Sequence, residues 1–434
     1  MVRVGLQRVV ITPPIGTPLG GYAARNGFSI GIHDDLFATA FFLRTKGVSV
    51  ALLTADLVAL PETLVQLVRE RVRRLTLIQP ENVILAATHT HSGPDLLFGH
   101  QGLASKSYIE VLADALAGCI YGAFRDCQDA SLGIGRGEVT GIARNRRNPD
   151  GCPVDPEVGV LRVDRDANVY GILMHYTCHP VVLGPDNLLI TADFPGYAVR
   201  MVETCFGGNV KAAYINGAAG DVNTGHSADL SAIGEHIPGR TFEHAERLGR
   251  LLGGEVIKVV EMIETQEHLD IAVTSRKVDL PLRAFPPANE VEQAIAEKER
   301  ALEKLMRQKA PEALVKKTKI ELLYAQLLLQ NINKMKCRKS DKGTESIMLQ
   351  AVKIGDCALV AFPGELFVEI GLRIKERAPF KYTYIVGYAN GYVGYVPTEK
   401  AFQEGGYEVI STLFTRETSD MIIDESLTLL KTLI

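Results

Sequence analysis

Apolar runs alternate with amphipathic stretches along most of the chain. Short apolar runs predict strands over 48–53, 82–87, 169–176 and 212–215. Apolar residues that recur every three or four positions predict helices over 61–75, 108–124 and 241–263. Strands that alternate with helices are typical of an α/β fold with a largely parallel sheet. Gly-bounded pairs near 133–141 indicate antiparallel strands as well, so we expect a mixed sheet core with surrounding helices.

One segment differs from the rest in composition. Residues 288–336 are rich in Ala, Glu, Lys, Leu and Gln, and they carry two apolar seams separated by Pro311. This pattern predicts a helical hairpin inserted into a single domain that spans residues 1–434. We favour a solvated arm, peripheral to the chemistry, that packs on the sheet or on another subunit. A substrate lid is the alternative.

Composition narrows the class of protein. The chain is 46% hydrophobic and 23% charged with a net charge of -4, and its one basic cluster is Arg144, Arg146 and Arg147. That cluster is too small for a nucleic-acid surface. The chain start alternates like a strand and not like a signal peptide. No apolar run reaches the roughly 18 to 20 residues that span a bilayer. The seven Cys residues show no CxxC pair, so we expect reduced thiols in a reducing compartment. We therefore expect a cytoplasmic protein. A small-molecule substrate is expected as well. Homo-oligomers stay open.

Four segments carry ligand-type side chains, and three of them lie just past apolar runs. His89 and His91 follow the strand that ends near Ala87, and residues two apart on a strand share a face. His179 and Glu365 follow later runs in the same way, whereas Tyr395 lies in a Gly-rich loop. Each has an ordinary structural alternative: a strand cap or core histidine, a carboxylate at a helix start, or a packing tyrosine. Two imidazoles and a carboxylate together match a catalytic zinc set.

Three acidic residues also follow strand-like runs near these segments. Asp56, Asp193 and Asp221 could orient the histidines from behind. They could equally be helix caps or turn residues. The remaining histidines at 100, 226, 236, 244 and 268 are interpreted as surface or structural residues.

Several blocks resemble the neutral, non-lysosomal ceramidase family. They are Thr-His-Thr-His-Ser-Gly-Pro at 88–94, His-Pro at 179–180 with Ala-Asp-Phe-Pro-Gly-Tyr-Ala at 192–198, Asn-Gly-Ala-Ala-Gly-Asp-Val at 216–222, Pro-Gly-Glu at 363–365 and Asn-x-Tyr-x-x-Tyr at 390–395. The blocks keep the family order from about residue 5 to residue 415, so the resemblance covers the whole catalytic domain.

The resemblance implies a set of site residues. One zinc ion per chain would be held by His89, His179, Glu365 and Tyr395. His91 and Tyr407 would contact the scissile group. Arg146, or alternatively Arg144, would recognise the substrate.

Two departures bear on the substrate. Asn223 stands where the family carries a serine required for amide hydrolysis. An asparagine cannot act as a hydroxyl nucleophile, although its amide can donate to an oxyanion. Thr224 could supply a hydroxyl instead. The resemblance also implies a short member without the family's C-terminal β-sandwich domain.

The leading hypothesis is a zinc-dependent hydrolase that cleaves an amide bond in a small soluble substrate by zinc-activated water, and that does not act on ceramide itself. Esters and lactones are weaker alternatives. Two other classes stay open: a metal-binding or regulatory protein that has lost turnover, and a metal-dependent phosphoester hydrolase. The latter would need a second metal and more carboxylates.

Overall fold

A computed structural model describes residues 1–97, 102–149, 151–336 and 343–434. The strands are β1 (Val2–Val10), β2 (Gly31–Ile32), β3 (Phe37–Thr45), β4 (Val48–Ala55), β5 (Val83–Ala87), β6 (Gln128–Glu138), β7 (Arg144–Asn145), β8 (Glu157–Arg165), β9 (Asn168–Tyr176), β10 (Leu189–Ile190), β11 (Lys211–Asn216), β12 (Val222–Asn223), β13 (Ile271–Pro281), β14 (Thr344–Ile354), β15 (Cys357–Ala361), β16 (Glu365–Leu366), β17 (Tyr382–Val386) and β18 (Tyr395–Val396). The helices are α1 (Glu62–Thr76), α2 (Lys106–Arg125), α3 (Asp193–Phe206), α4 (Ala228–Ala232), α5 (Phe242–Met262), α6 (Ala288–Arg307), α7 (Glu312–Lys336), α8 (Val368–Arg377), α9 (Glu399–Glu404), α10 (Tyr407–Ser411) and α11 (Thr418–Lys431).

The architecture has four layers: helices, a large sheet, a smaller sheet and helices. The large sheet has the order β11-β9-β8-β6-β1-β3-β4-β5, and the smaller one the order β13-β14-β15-β17. The two sheets share an apolar core to which β1, β4 and β15 contribute. On the outer faces, α1, α2, α3 and α5 cover the large sheet, and α8 and α11 cover the smaller one. The predicted mixed α/β fold is confirmed.

Parallel pairs within these sheets determine where the functional site forms. β4 pairs with β5, β9 with β11, and β15 with β17, each in parallel. Side chains that follow parallel strands collect at one edge, as expected for α/β proteins. The bonds from Gly387 N to Asn216 O (3.0 Å) and from Asn390 N to Leu85 O (2.8 Å) join the two sheets at that edge.

The helical hairpin occupies the predicted segment. β13 and β14 pair antiparallel from Ile271↔Ile354 out to Pro281↔Thr344. Helices α6 and α7 therefore replace the turn of an otherwise ordinary β-hairpin. Residues 337–342, which follow α7, and His100 lie outside the described residues.

Helix α2 is long and apolar enough to cross a membrane by length and composition, although Glu110 and Asp114 interrupt its apolar residues. In the fold, its Leu112, Leu116 and Ile120 are buried in the core beneath the large sheet. Core helices of soluble proteins pass the same test.

Candidate metal centre

Three histidines meet at the shared edge of the two sheets. His89 follows β5, His91 lies two residues on, and His179 follows β9. One ring nitrogen from each lies within 4.8 Å of the others. The Nε2 atoms of His89 and His91 are 3.2 Å apart. Among residues 1–97, 102–149, 151–336 and 343–434, this is the one group of three or more such side chains placed to hold a metal ion.

Backbone carbonyls fix the orientation of two of these rings. The Nδ1 atom of His89 faces Val58 O, and that of His179 lies 2.6 Å from Ala219 O. A carbonyl can only accept, so both Nδ1 atoms carry the proton and both Nε2 atoms present a lone pair. Burial lowers the pKa of both imidazoles to about 3, which keeps them neutral.

The backbone around the histidines lets their rings come close to one another. His89 has a φ of 72°, a conformation that costs energy for a residue with a side chain. The Asn216 side chain, at the end of β11, donates to Thr88 O (3.2 Å) and accepts from Cys178 N (3.2 Å). It therefore ties together the residues that precede His89 and His179. A Cβ on Gly21, whose φ is +93°, would lie 2.3 Å from the His91 ring.

Glu365 completes the cluster from the smaller sheet. Its Oε2 atom is 2.9 Å from His179 Nε2 and 3.6 Å from His89 Nε2. Glu365 and Tyr395 are parallel partners in the β16–β18 ladder, so the backbone holds these two side chains in register. Tyr392 donates its hydroxyl to Glu365 Oε1. Burial raises the pKa of Glu365, although His89 and Tyr392 oppose the shift.

This arrangement fits a metal ion. With Nδ1 protonated, His179 Nε2 can only accept, yet it faces a carboxylate oxygen at 2.9 Å. Two acceptors this close repel each other unless a cation lies between them. Two neutral imidazoles with a carboxylate are a zinc donor set. His89, His179 and Glu365 therefore suit a bound metal, and the triad of His89, His91 and His179 is an alternative set of ligands.

Arg146 lies beneath Tyr395 in a buried ionic network. Its Nε donates to Glu408 Oε1 (2.8 Å), and its Nη2 donates to Gly220 O (2.7 Å) and to the Tyr395 hydroxyl (3.2 Å). Arg147 donates to the other oxygen of Glu408 (2.8 Å). Although burial opposes it, these two arginines hold the pKa of Glu408 below its usual value. Glu408 could not be predicted as a site residue, because nothing in the sequence distinguishes a lone glutamate in a short helix from a surface residue.

The other predicted site residues lie at varied distances from the chemistry. His91, Tyr395 and Tyr407 line the same cavity as His89 and Glu365, and burial raises the pKa of Tyr407 to about 12. Arg144 is exposed on β7, so of the two arginines that the sequence left open only Arg146 reaches the site.

Asn223 is buried next to the site, but its side chain forms hydrogen bonds within its own loop. Oδ1 accepts from Gly225 N (2.8 Å) and His226 N (3.0 Å), and Nδ2 donates to His226 O (2.7 Å). One N–H of the amide is left for a substrate or water. Thr224 is also buried.

The three aspartates considered as partners of the histidines accept hydrogen bonds from backbone N–H groups. Asp56 accepts from Phe37 N (2.9 Å), Asp193 from Phe194 N (2.7 Å), and Asp221 from Val368 N at the start of α8 (2.8 Å). The Nδ1 atoms of His89 and His179 bond to backbone carbonyls instead. The interpretation of these aspartates as orienting groups is therefore wrong, and the cap or turn alternative holds.

A cavity of about 560 Å³ opens onto the cluster. Part of its wall comes from α7, through Leu327, Gln330, Asn331 and Lys334. Asn331 Nδ2 donates to Ile410 O (3.0 Å) and Ser411 O (3.2 Å), which anchors α7 on α10. The favoured interpretation of the hairpin as a peripheral arm is wrong at this end. Apolar periodicity showed that α7 packs against something, but it could not show what.

Comparison with known proteins shows the family of this chain. The family model described as neutral/alkaline non-lysosomal ceramidase, N-terminal, matches residues 3–231. The neutral ceramidase of Mycobacterium tuberculosis is 24% identical over 469 aligned positions, which cover 91% of this chain and 71% of that protein. The neutral ceramidase of Drosophila pseudoobscura is 30% identical over 228 residues, covering 46% of this chain and 32% of its own.

A solved structure shares the fold. The neutral ceramidase from Pseudomonas aeruginosa superposes with a TM-score of 0.73 at 21% identity, over 99% of this chain and 75% of that one. The four layers described above are thus those of a known architecture.

Proposed function

Because this chain belongs to the neutral/alkaline non-lysosomal ceramidase family, we propose that it is a zinc-dependent hydrolase that cleaves the amide bond of a small soluble N-acyl compound. The observation that carries the proposal is the meeting of two backbone-oriented imidazoles with a buried carboxylate at the mouth of a cavity. His89, His179, Glu365 and Tyr395 would hold one zinc ion. When bound there, zinc would supply an acidified water and a Lewis acid for the carbonyl.

The surrounding side chains have defined tasks in this proposal. Tyr407 stays a protonated phenol at neutral pH, since burial raises its pKa to about 12, and its O–H can donate to a carbonyl oxygen. His91 is kept neutral by burial and can exchange a proton with the departing amine. Burial and Glu365 raise the pKa of Tyr395, and Arg146, whose Nη2 lies 3.2 Å from the Tyr395 oxygen, opposes that rise. A zinc ion bound beside this oxygen would favour the phenolate further.

The proposed substrate differs from ceramide. Asn223 stands at the position where the resemblance implies a serine, and its side chain is mostly committed to the loop at 225–226. The cavity wall mixes apolar Leu327 and Leu97 with polar Gln330 and Lys334, which suits an acyl group shorter and more polar than a long lipid tail.

The proposal is tested by metal analysis followed by a substrate panel. We expect one zinc per chain and hydrolysis of medium-chain N-acyl amides faster than of long-chain ceramide. Two metals per chain together with phosphoester turnover would favour the phosphoesterase alternative. Stoichiometric zinc without turnover of any acyl compound would favour the regulatory one. Ceramide as the best substrate would refute the choice of substrate but not that of the reaction.

A further inference from the structure

A second, smaller pocket shares His91 with the main cavity. It has a volume of about 50 Å³, and its walls include Tyr22, Arg146, Asn223 and Arg240. His91, Tyr395 and Tyr407 line both pockets. Whatever reacts at the metal centre can therefore extend into each of them. The small pocket has room for a group of a few atoms and not for an acyl chain.

Arg240, two residues before α5, is a partly exposed cation that forms no ion pair within 4.0 Å in the part of the chain that the structure describes. Its Nη2 donates to Ser231 Oγ (3.0 Å), while Nε and Nη1 are buried and have no hydrogen-bond partner among the described residues. Asp186 Oδ1 and Arg240 Nη1 both approach Gly184, but they do not pair. Leaving buried donor nitrogens without partners is costly, so these two nitrogens indicate that a ligand in the pocket supplies the acceptor.

Two further polar side chains of the pocket have an N–H to donate. Arg146 uses Nε and Nη2 in its bonds to Glu408, Gly220 and Tyr395, which leaves Nη1. Asn223 keeps one amide N–H. The described residues that line the pocket include two arginines and no Asp or Glu. The remaining lining combines tyrosines, His91 and Ser231 with small residues such as Ala228 and Ala232.

We propose that this pocket binds the carboxylate of an N-acyl amino acid, with Arg240 as the residue that determines specificity. This inference rests on the proposed function and names its substrate class. The acyl group occupies the 560 Å³ cavity, the amide lies at the metal centre, and the carboxylate of the amine half enters the cationic pocket. A carboxylate accepts from a guanidinium through two oxygens, a geometry that a hydroxyl cannot match.

The test compares two substrates that differ only in this group, N-decanoylglycine and N-decanoylethanolamine. The wild-type protein should prefer N-decanoylglycine in kcat/KM. Arg240→Gln should lower the ratio of the two kcat/KM values by about 10- to 100-fold, the usual effect of losing a charged hydrogen bond, mainly through KM. Arg240→Lys should fall between the two. Arg250→Gln, which removes an exposed arginine from the same region of α5, should leave the ratio unchanged.

A second variant distinguishes a loss of carboxylate binding from misfolding caused by Arg240→Gln. Ala232→Asp places a competing carboxylate on the pocket wall without removing Arg240, and it should also abolish the preference. An unchanged ratio in both variants, or a wild-type preference for N-decanoylethanolamine, overturns the proposal. If neither compound is hydrolysed, the proposed function fails. Titration calorimetry with the same pair then tests the pocket alone, and equal affinities would reject it.

Discussion

The Nδ1 atom of His179 lies 2.6 Å from the carbonyl oxygen of Ala219, in the turn that follows β11. His89 is oriented in the same manner by Val58 O. Both rings are therefore held by backbone that no single side-chain replacement removes. The metal centre depends on how β4, β5, β9 and β11 end, and less on neighbouring side chains.

Replacing His89 or His179 with Ala should remove the metal, because each loses a ligand whose lone pair the backbone has already directed. His91→Ala should retain it and lose activity. Zinc content by mass spectrometry of the purified proteins checks this. If His91→Ala loses zinc while Glu365→Gln retains it, the three-histidine set is the correct one.

Tyr395→Phe should weaken zinc binding at least about tenfold more than Tyr392→Phe does. The Tyr395 oxygen has Arg146 Nη2 at 3.2 Å to stabilise a phenolate, whereas Tyr392 donates to Glu365 as a neutral phenol. Competition with a chelator measures both affinities, and the two variants are matched because each removes one hydroxyl. Equal losses would reduce the protein ligands to two histidines and a glutamate.

Asn223→Ser should destabilise the protein while leaving the zinc in place. The Asn223 side chain makes three hydrogen bonds with residues 225 and 226, and the shorter serine cannot keep them all. A loss of about 1 to 2 kcal/mol in unfolding free energy is expected, measured by urea denaturation. No change in stability would mean that serine preserves the loop.

Replacing residues 288–336 with a short Gly/Ser linker should keep the zinc and raise KM several-fold. The change is compatible with the fold, since Pro281 and Thr344 are already paired partners in the β13–β14 ladder. Loss of Leu327 and Gln330 opens the cavity wall. Linker replacement that leaves KM unchanged would show that α7 does not contact substrate.

Asp193→Asn should change the pH dependence of stability. Burial raises the pKa of Asp193 to about 6 from an ordinary 3.8, so between pH 4 and 6 the folded protein binds more protons than the unfolded chain. The contribution of Asp193 to stability therefore falls as pH rises through this window. The variant lacks this loss, so relative to wild type it should gain about 2 to 3 kcal/mol between pH 4 and pH 7.

Urea denaturation at several pH values checks this prediction. Asparagine tolerates the left-handed backbone at this position, where φ is 58°. Asp129→Asn on the surface is the control, and it should show no such trend. A gain in Asp193→Asn that is the same at every pH would contradict the assigned cause.

Several strand ends, and the polar residues His89, His179 and Glu365 that follow them, could be predicted from sequence, because an apolar run followed by a polar residue is a local pattern. Tyr395 entered the proposed ligand set only through the family resemblance. The elements that required long-range packing could not be predicted from sequence. The pairing of α7 with α10 through Asn331 joins segments 79 residues apart, and Glu408 matters only because Arg146 and Arg147 fold over it.

The groups that orient the histidines could not be predicted from the sequence, for a physical reason. Aspartates can be read from a sequence, whereas the positions of backbone carbonyls cannot. Asp56, Asp193 and Asp221 were therefore the candidates for orienting the histidines. The carbonyls of Val58 and Ala219 belong to every possible sequence and become informative only once the turns that present them have formed.

Because the helical hairpin is inserted at a β-turn, the cavity wall can change separately from the candidate metal centre. The side chains of the candidate metal centre come from segments that follow β5, β9, β15 and β17 in two sheets, and their positions depend on the whole domain. The α7 wall comes from a single uninterrupted stretch that enters and leaves through adjacent strand ends. Exchange of that stretch for another of different length or polarity would therefore give a new substrate range in one genetic step, with the hydrolytic centre inherited intact.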